Sequence, residues 1–595
     1  MSLFPPAFSL SPSRRSSKYV ASVAVSPKTS VPSLRSSRLS AATGDSSHSS
    51  SLSSLDTLAE DSPESRNETD DEADDGPQHI VMKSRNGVHG NKARRRRSRR
   101  YNYLSSRNHI KVLDGVKDGY NLGFRKKCVE SFLIVGLLSL AIQHNWAAVS
   151  ENGKLVGICA STLLTVLILR WDHWTMPSVL YIYLFPIILT LTDYPQHLRL
   201  NLLLSVSALP LPAEILSNLA AAISPQTAEV YYLYSNVTEI VCTLTTTSLS
   251  PAESSLAGTL LVNLLLNAKK MDMIFLRAFL FGSLFSLWPA TPLVLKIMHL
   301  TRLPRHRRPK ASTKMKATYA YGVYAIYVVN VLVFVRWHLQ SSLGRDPFAY
   351  MIDYLFLSKE SYMRLRMLGY WTAWLAIGIP WIQKSSDGWT LDRRRKVWHG
   401  LIVLMFLGAG VGWDATFTSL SMAIALTLFL FSEFLRATTI PPLGVHIHDA
   451  LKKYIDERDT CGPIIVSHIF LLLGISVPIF LSSSPAGIIC LGFGDACASI
   501  VGRKFGKHKW FDSNKTLEGT VGFIAAAFTG LMVTKYLLSG YDSILGPDIS
   551  VQWAFLSAVA TAVLEATSGM NDNVVVPVYM YAVLRLGTSG QLAQT

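Results

Sequence analysis

Residues 492–520 concentrate the side chains that could do chemistry, and they read GFGDACASIVGRKFGKHKWFDSNKTLEGT. The stretch combines glycines, carboxylates and basic side chains, and it lies between apolar segments. Basic side chains supply positive charge for a polyanion such as a triphosphate, and glycines permit the close backbone approach that a phosphate-binding loop needs. The stretch therefore predicts a site where a phosphorylated ligand meets lipid.

The residues predicted to hold the anion are glycines, basic residues and residues at the start of the next helix, where free N–H groups favour an anion. They are Gly494, Gly502, Arg503, Lys504, Gly506, Lys507, Lys509, Trp510, Lys515, Thr516, Gly519 and Thr520. The alternative is the positive charge that cytoplasmic loops of membrane proteins usually carry, with the glycines serving helix packing. That alternative explains the lysines well but accounts poorly for Asp495 and Glu518. The P-loop pattern GxxxxGK[ST] does not occur here, so the phosphate site must be of another kind.

Asp495 lies within the apolar segment 485–501. A carboxylate at membrane depth is a candidate functional group by default, because burying it in lipid is costly. A hydrated Mg²⁺ that bridges the carboxylate and the phosphates would account for its position.

The elements around these residues predict an all-α, polytopic integral membrane protein. Hydrophobic residues make up 49% of the 595 residues. Apolar runs recur from residue 128 to residue 586, and about 15 of them approach the ~20 residues that cross a bilayer as a helix. Most of these runs lack the polar stripe of period 3.6 that soluble helices show.

The net charge of +17 is clustered beside the apolar runs. The basic clusters fall at 94–100, 302–316, 393–396 and 503–515. This is the pattern of cytoplasmic loops, with anionic lipid headgroups as the nearest counter-charge, so the lipid bilayer is the expected partner and nucleic acid is not. If 302–316 is cytoplasmic, counting spans forward returns the other C-terminal polar stretches to the same side. They are 393–396, 437–460, 503–515 and 565–573.

Three regions are predicted along the chain. Residues 1–125 are rich in Ser, with an acidic and a basic block and few aromatics, which predicts a disordered cytoplasmic tail. An organelle transit peptide is an alternative for the start of that tail. Residues 126–385 form an N-terminal transmembrane region, and residues 386–595 form a C-terminal core that contains the site.

The sequence GDACASIVGRKFGKHKW at 494–510, followed by KTLEGT at 515–520, closely resembles the CTP-binding region of the dolichol kinase family. RKVWHG at 395–400 resembles the R-K-x-x-H element of that family, and 565–577 resembles its E-a…D-N-x-x-x-P element. The three elements occur in order over about a third of the chain. Residues 511–514, FDSN, depart from the family's Pro-Gly-Thr-Lys-type link, which removes one expected lysine.

The resemblance implies transfer of the γ-phosphate of CTP to the terminal hydroxyl of dolichol. The product would be dolichyl phosphate for protein glycosylation, and a divalent cation, Mg²⁺, would assist. It also implies a multi-pass protein of the endoplasmic reticulum membrane whose CTP-binding loop faces the cytoplasm.

The same resemblance implies roles for individual residues. Asp495 and Glu518 are the expected metal ligands, while Lys507, Lys509 and Lys515 are expected to contact phosphates. The expected catalytic residues are Asp495, Glu518, Asp572 and His399, with Glu518 or Asp572 as the base and His399 as an orienting residue. Glu433, near the same face, is a further candidate.

Three alternatives stay open at this point. One is a CTP-dependent kinase of another lipid alcohol, such as diacylglycerol, phytol or farnesol, although the long N-terminal half favours dolichol kinases. A second is a phosphatidate cytidylyltransferase, whose H-G-G…D-R element is missing after residue 519. The third is a membrane transporter, which would show a second copy of the glycine–carboxylate stretch within 128–380, where none is found.

Overall fold

The computed structural model describes most of the chain from residue 124 onward. The described ranges are 124–169, 180–193, 249–266, 271–302, 312–406, 414–455, 464–510, 513–537 and 549–592, without residues 182 and 387 and with residue 459 and short pieces between 198 and 241. The predicted tail, 1–125, lies outside the described residues except for its last two positions.

The described residues form helices joined by short connections. The helices are α1 (Phe124–His144), α2 (Trp146–Glu151), α3 (Gly153–Leu169), α4 (Phe185–Asp193), α5 (Pro251–Leu266), α6 (Met271–Arg302), α7 (Ser312–Leu343), α8 (Pro347–Leu357), α9 (Ser361–Ser385), α10 (Leu391–Phe406), α11 (Ala415–Thr438), α12 (Leu443–Leu451), α13 (Val466–Ser482), α14 (Ala486–Phe505), α15 (Leu517–Leu537), α16 (Val551–Thr567) and α17 (Asp572–Leu592). No strand occurs among the described residues, where β-pairing is limited to an isolated bridge between Lys509 and Thr516. The predicted all-α class is therefore confirmed.

Within the described part of the chain, five helices are long and apolar enough to cross a membrane. They lie at Lys127–His144, Ser312–Leu343, Ala415–Thr438, Ala486–Phe505 and Leu517–Leu537. Helices α8, α13 and α16 are apolar but shorter. The expected count of about 15 spans is thus not confirmed. Several apolar runs fold into shorter helices or carry a charged turn, as α10 does with its LDRRRK start. Other predicted spans, such as most of residues 200–223, lie outside the described residues.

Large apolar side chains are exposed on the outside of the helix bundle. Ile377 of α9, Val333 of α7 and Val521 of α15 are each more than 60% exposed. A water-soluble protein rarely leaves so many large apolar side chains in contact with solvent, whereas lipid tails accept them. This surface supports an integral membrane protein.

Helix α17 is the centre of the main hydrophobic core. Its residues 574–576 and 578–584 are all buried, so it is apolar on every side, as expected of a helix surrounded by others. The same core includes Ile134 of α1 and Ile188 of α4 as well as residues of α13, α14 and α16. The helices of the predicted N-terminal region therefore pack directly on those of the C-terminal region, and the boundary near 385 stays a prediction.

Candidate active site

Several of the polar stretches predicted to share one side of the membrane meet at one end of the bundle. Arg503 at the end of α14 forms an ion pair with Asp392 at the start of α10, with 2.6 Å between nitrogen and oxygen. Arg394 donates to the backbone carbonyl of Lys453 at 2.9 Å, which adds the stretch 437–460 to this end. Lys515 reaches Glu565 at the end of α16.

Asp495 is placed by an irregular turn inside α14. Residues Ile489–Asp495 form a π-helical turn, a feature that is frequent at functional sites. A Cβ atom at Gly492 would overlap the side chain of Val403, so this glycine permits α10 to approach closely. The approach brings the polar side chains at the start of α10 against Asp495.

Lys396 and His399 of α10 are these side chains. The ammonium group of Lys396 is bonded to the Asp495 carboxylate. His399 is buried, and its Nδ1 lies 3.1 Å from the carbonyl oxygen of Leu491 and 3.3 Å from Oδ2 of Asp495. Because a carbonyl and a carboxylate both accept hydrogen bonds, Nδ1 carries the proton and His399 holds Asp495 in place.

Asp495, Glu565 and Asp572 form what we call the three-carboxylate cluster. One oxygen from each residue lies within 4.8 Å of the others. Their side chains are 14%, 8% and 44% exposed respectively. Carboxylate oxygens are the ligands that Mg²⁺ prefers, so the donor set of the cluster fits this ion.

Lys515 lies against the same cluster. Its Nζ donates to the Glu565 carbonyl at 2.6 Å and to Glu565 Oε1 at 2.5 Å, and it lies 3.5 Å from Asp572 Oδ2. Burial opposes the charged form of Lys515, but the Glu565 and Asp572 carboxylates outweigh it and raise the pKa of the ammonium group. Lys515 therefore stays charged at physiological pH, beside the place where phosphates are predicted.

Glu518 does not join the three-carboxylate cluster. Its carboxylate accepts hydrogen bonds from the backbone N–H of His508 at 3.2 Å and from the His508 ring at 2.7 Å. The loop before α15 folds back over the first turn of the helix and pairs these two residues. In this geometry Glu565 lies where Glu518 was expected as the second carboxylate beside Asp495.

Four of the predicted ligand-binding residues hold the loop onto α15. The indole N–H of Trp510 donates to Thr520 Oγ1 at 2.8 Å. The hydroxyl of Thr516 accepts from the Gly519 N–H at 3.2 Å and thereby caps the start of α15. These polar groups stabilise the loop that carries Lys515.

The glycines of the stretch are used for packing of α14 against α15. A Cβ atom at Gly502 would lie 2.9 Å from Thr516 Oγ1, and one at Gly519 would lie 2.9 Å from the Ala498 carbonyl oxygen. At Gly494 it would meet the ring of Phe523 at 2.6 Å. Among the described residues the positive-φ glycine is Gly344, far along the chain from this stretch. The packing alternative therefore accounts for Gly494, Gly502 and Gly519.

The remaining predicted basic residues are exposed and lie outside the cluster. Lys504, Lys507 and Lys509 point away from the core, and Lys504 lies over the ring of Phe505. Arg503 is bonded to Asp392 and to the hydroxyl of Ser499 at 2.9 Å. They form a basic surface beside the cluster, which we call the basic loop (residues 503–510).

The carboxylate of Glu433, the further candidate, takes part in contacts that join two helices. Its carboxylate accepts from Arg436 at 2.6 and 2.8 Å and from the backbone N–H of Ile465 at 2.6 Å. It links α11 to the start of α13.

Two residues of the site, Glu565 and Lys396, are not among the site residues predicted from the sequence. Both lie inside the elements that carry the resemblance, Glu565 in the element that begins EA and Lys396 in RKVWHG.

The chain is similar to dolichol kinases. It is 32% identical to the dolichol kinase of Saccharomyces cerevisiae over 44% of this chain and 49% of the relative. It is 31% identical to a dolichol kinase of Schizosaccharomyces pombe over 46% of this chain and 58% of the relative. Against the human dolichol kinase the identity is 29% over 43% of this chain and 51% of the relative. The resemblance predicted from the three sequence elements is confirmed.

The chain spans about half the length of the curated relatives it matches. No family model matches the chain. No solved structure matches it either.

Proposed function

We propose that this protein is a CTP-dependent dolichol kinase of the endoplasmic reticulum membrane. The observation that carries the proposal is the three-carboxylate cluster with Lys515 bonded into it, at one end of a bundle of apolar helices. The similarity to proteins named dolichol kinase supports the same acceptor and reaction.

The cluster is suited to a nucleotide triphosphate with its metal ion. Mg²⁺ held by Asp495 and Glu565 would supply positive charge to the phosphates. Lys515 would bind a phosphate oxygen from within the site, and Lys507 and Lys509 would attract the nucleotide from the basic loop. Phosphoryl transfer depends mainly on such positioning and charge neutralisation.

The acceptor hydroxyl attacks the γ-phosphorus of CTP in line with the leaving oxygen. The new bond joins the dolichol oxygen to phosphorus, the bond from phosphorus to the bridging oxygen breaks, and CDP leaves with that electron pair. We assign the hydroxyl proton to Asp572, because its side chain is the most exposed of the three and lies only loosely against Lys515, at 3.5 Å. Asp495 and Glu565 are bonded more tightly, to Lys396 and Lys515.

The charge distribution supports a cytoplasmic site. The basic loop and the start of α10 lie at one end of the bundle, and cytoplasmic loops carry the excess of Lys and Arg. We propose that this end faces the cytoplasm, where CTP is available. Sealed microsomes should then phosphorylate dolichol from added CTP without detergent, whereas a lumenal site would require detergent.

The deciding experiment supplies membranes that contain the protein with CTP or ATP labelled at the γ-phosphate. The acceptors are dolichol, diacylglycerol, phytol and farnesol, each tested alone. We expect label from CTP on dolichol, and none after chelation of divalent cations. Membranes with Asp495→Asn serve as the negative control for endogenous activity.

Other outcomes would replace the proposal. Label on another alcohol in preference to dolichol would change the substrate. Formation of CDP-diacylglycerol from CTP and phosphatidate would indicate a cytidylyltransferase. Label from ATP in preference to CTP would change the donor.

A further inference from the structure

Glu253 at the start of α5 lies against the turn that carries Asp572. Its Oε1 accepts a hydrogen bond of 2.7 Å from the backbone N–H of Asn571, 318 positions further along the chain. Both residues are buried. A carboxylate of the N-terminal region is thus bonded to the residue immediately before a carboxylate of the candidate site.

A purely local role for Glu253 has to be weighed first. Its Oε2 accepts from the backbone N–H of Ser250 at 2.8 Å and from the Ser250 hydroxyl at 2.9 Å. In return, the N–H of Glu253 donates to the Ser250 hydroxyl oxygen at 3.2 Å. This reciprocal pattern is a capping box, and it stabilises the start of α5. It uses Oε2, however, and so leaves the bond from Oε1 to Asn571 unexplained.

The bond to Asn571 acts on the start of a second helix. The backbone carbonyl of Asn571 accepts from Val574 at 3.3 Å and from Val575 at 3.2 Å, so Asn571 caps α17. The Glu253 carboxylate therefore lies at the N-terminus of α17, where the helix dipole favours a negative charge. A hydrogen bond to an ionised acceptor is also stronger than a neutral one.

Helix α13 also packs against the start of α17. A Cβ atom at Gly474 would overlap the backbone carbonyl of Asn573, so the turn and α13 are in close contact. The side chain of Asn571 adds a bond, accepting from the Asn573 N–H at 3.1 Å. Asp572 lies between Asn571 and Asn573, both of which are held by these contacts, and its own side chain is 44% exposed.

We propose that Glu253 is a positioning residue for Asp572, so that the N-terminal region takes part in building the site. The inference rests on the proposed function for its kinetic consequences. A displacement of about 1 Å at a reacting group can lower the rate about 100-fold, and loss of the bond to Asn571 releases the side of the turn that faces α5.

The test uses the full-length protein purified in detergent, with Glu253→Ala compared with wild type. We expect kcat for transfer from CTP to fall about 10-fold or more, while KM for CTP changes less than about 2-fold, because the phosphate-binding groups stay in place. Amide hydrogen exchange in the peptide that covers residues 568–575 should become faster, since the Asn571 N–H loses the carboxylate that accepts its hydrogen bond. Glu253→Gln keeps an oxygen for Asn571 and should recover most of kcat.

Ser250→Ala is the matched control, because it weakens the capping box of α5 and leaves the bond from Glu253 to Asn571 intact. It should lower the thermal stability of the protein, yet keep kcat within about 2-fold of wild type and leave exchange at 568–575 unchanged. If Ser250→Ala lowers kcat as much as Glu253→Ala does, Glu253 acts only as a helix cap. Unchanged exchange and unchanged kcat in Glu253→Ala would also overturn the inference. Absence of transfer from CTP in the wild type would instead reject the proposed function, and the exchange measurement would still test the contact.

Discussion

The three-carboxylate cluster and the basic loop lie side by side, but they are held in different ways. In the cluster, Asp495 and Glu565 each have a charged partner on another helix or loop, and Glu565 is nearly buried. In the basic loop, Lys507 and Lys509 extend into solvent. The charges of the cluster are held in position before a ligand binds, whereas the side chains of the basic loop can adapt to the ligand.

The difference suggests a division of work within one site. Fixed charges in a partly dry environment act on the transition state, because they need no rearrangement when charge develops. Exposed charges act mainly on encounter and initial binding, and salt screens them. Substitutions in the cluster should therefore lower kcat, and substitutions in the basic loop should raise KM.

The largest effect is expected for Asp495→Asn. The change removes the charge that faces Lys396, and loss of about 4 kcal/mol of stabilisation at the metal position corresponds to a ~1,000-fold lower kcat/KM. The measurement is transfer of label from CTP to dolichol by the purified protein.

Asp392→Asn is the comparison variant for this prediction. It also removes a carboxylate bonded to a basic residue, Arg503, but this pair lies on the half-exposed surface. Exposed ion pairs contribute only about 0–1 kcal/mol, so activity should stay within a few-fold of wild type. Equal losses in Asp392→Asn and Asp495→Asn would show that the cluster has no special role.

A smaller but still large effect is expected for Lys515→Met. Methionine keeps most of the length of the side chain but removes the charge that contacts Glu565 and the predicted phosphate. Loss of one fixed donor at a catalytic site lowers kcat by about 100-fold or more. Steady-state kinetics with CTP as the varied substrate measures it.

Lys535→Met serves as the control, because Lys535 lies in the last turn of α15, the helix that follows Lys515, and donates to the Ile549 carbonyl at 2.7 Å. Lys535→Met should lower the melting temperature of the protein and leave kcat near the wild-type value. If the Lys515→Met protein keeps the full kcat, Lys515 takes no part in the reaction.

The sequence predicted the all-α class and several members of the site for local reasons. Asp495 was recognisable because a carboxylate interrupts an apolar run, and Lys515 because it precedes the start of an apolar helix. The expectation for Glu518 had a similar local basis, but its carboxylate is taken by His508 once the loop folds back.

Contacts between residues far apart in the sequence could not be predicted from local sequence patterns. Lys396 and Asp495 are 99 positions apart, and Lys515 and Glu565 are 50 positions apart. Hydropathy and spacing report which residues share a helix face, not which helices become neighbours in the bundle. The bond from Glu253 to Asn571 belongs to the same class of contact.

The smallest effect is expected from the double substitution Lys507→Ala and Lys509→Ala. Each exposed charge contributes about 0.2–1 kcal/mol to binding, so KM for CTP should rise about 3- to 10-fold while kcat stays within about 2-fold. The dependence of KM on salt should also become weaker than in the wild type, because fewer screened charges take part. Kinetics at two ionic strengths measure both effects.

Lys452→Ala is the matched surface control, since Lys452 is exposed, lies in the 437–460 stretch and pairs with Asp449 at 3.6 Å. It should leave KM and its salt dependence unchanged. If the double variant instead lowers kcat without changing KM, the basic loop closes over the reacting phosphate and belongs with the fixed cluster. Because neither Lys507 nor Lys509 has an ion-pair partner among the described residues, a KM effect is the result that the geometry predicts.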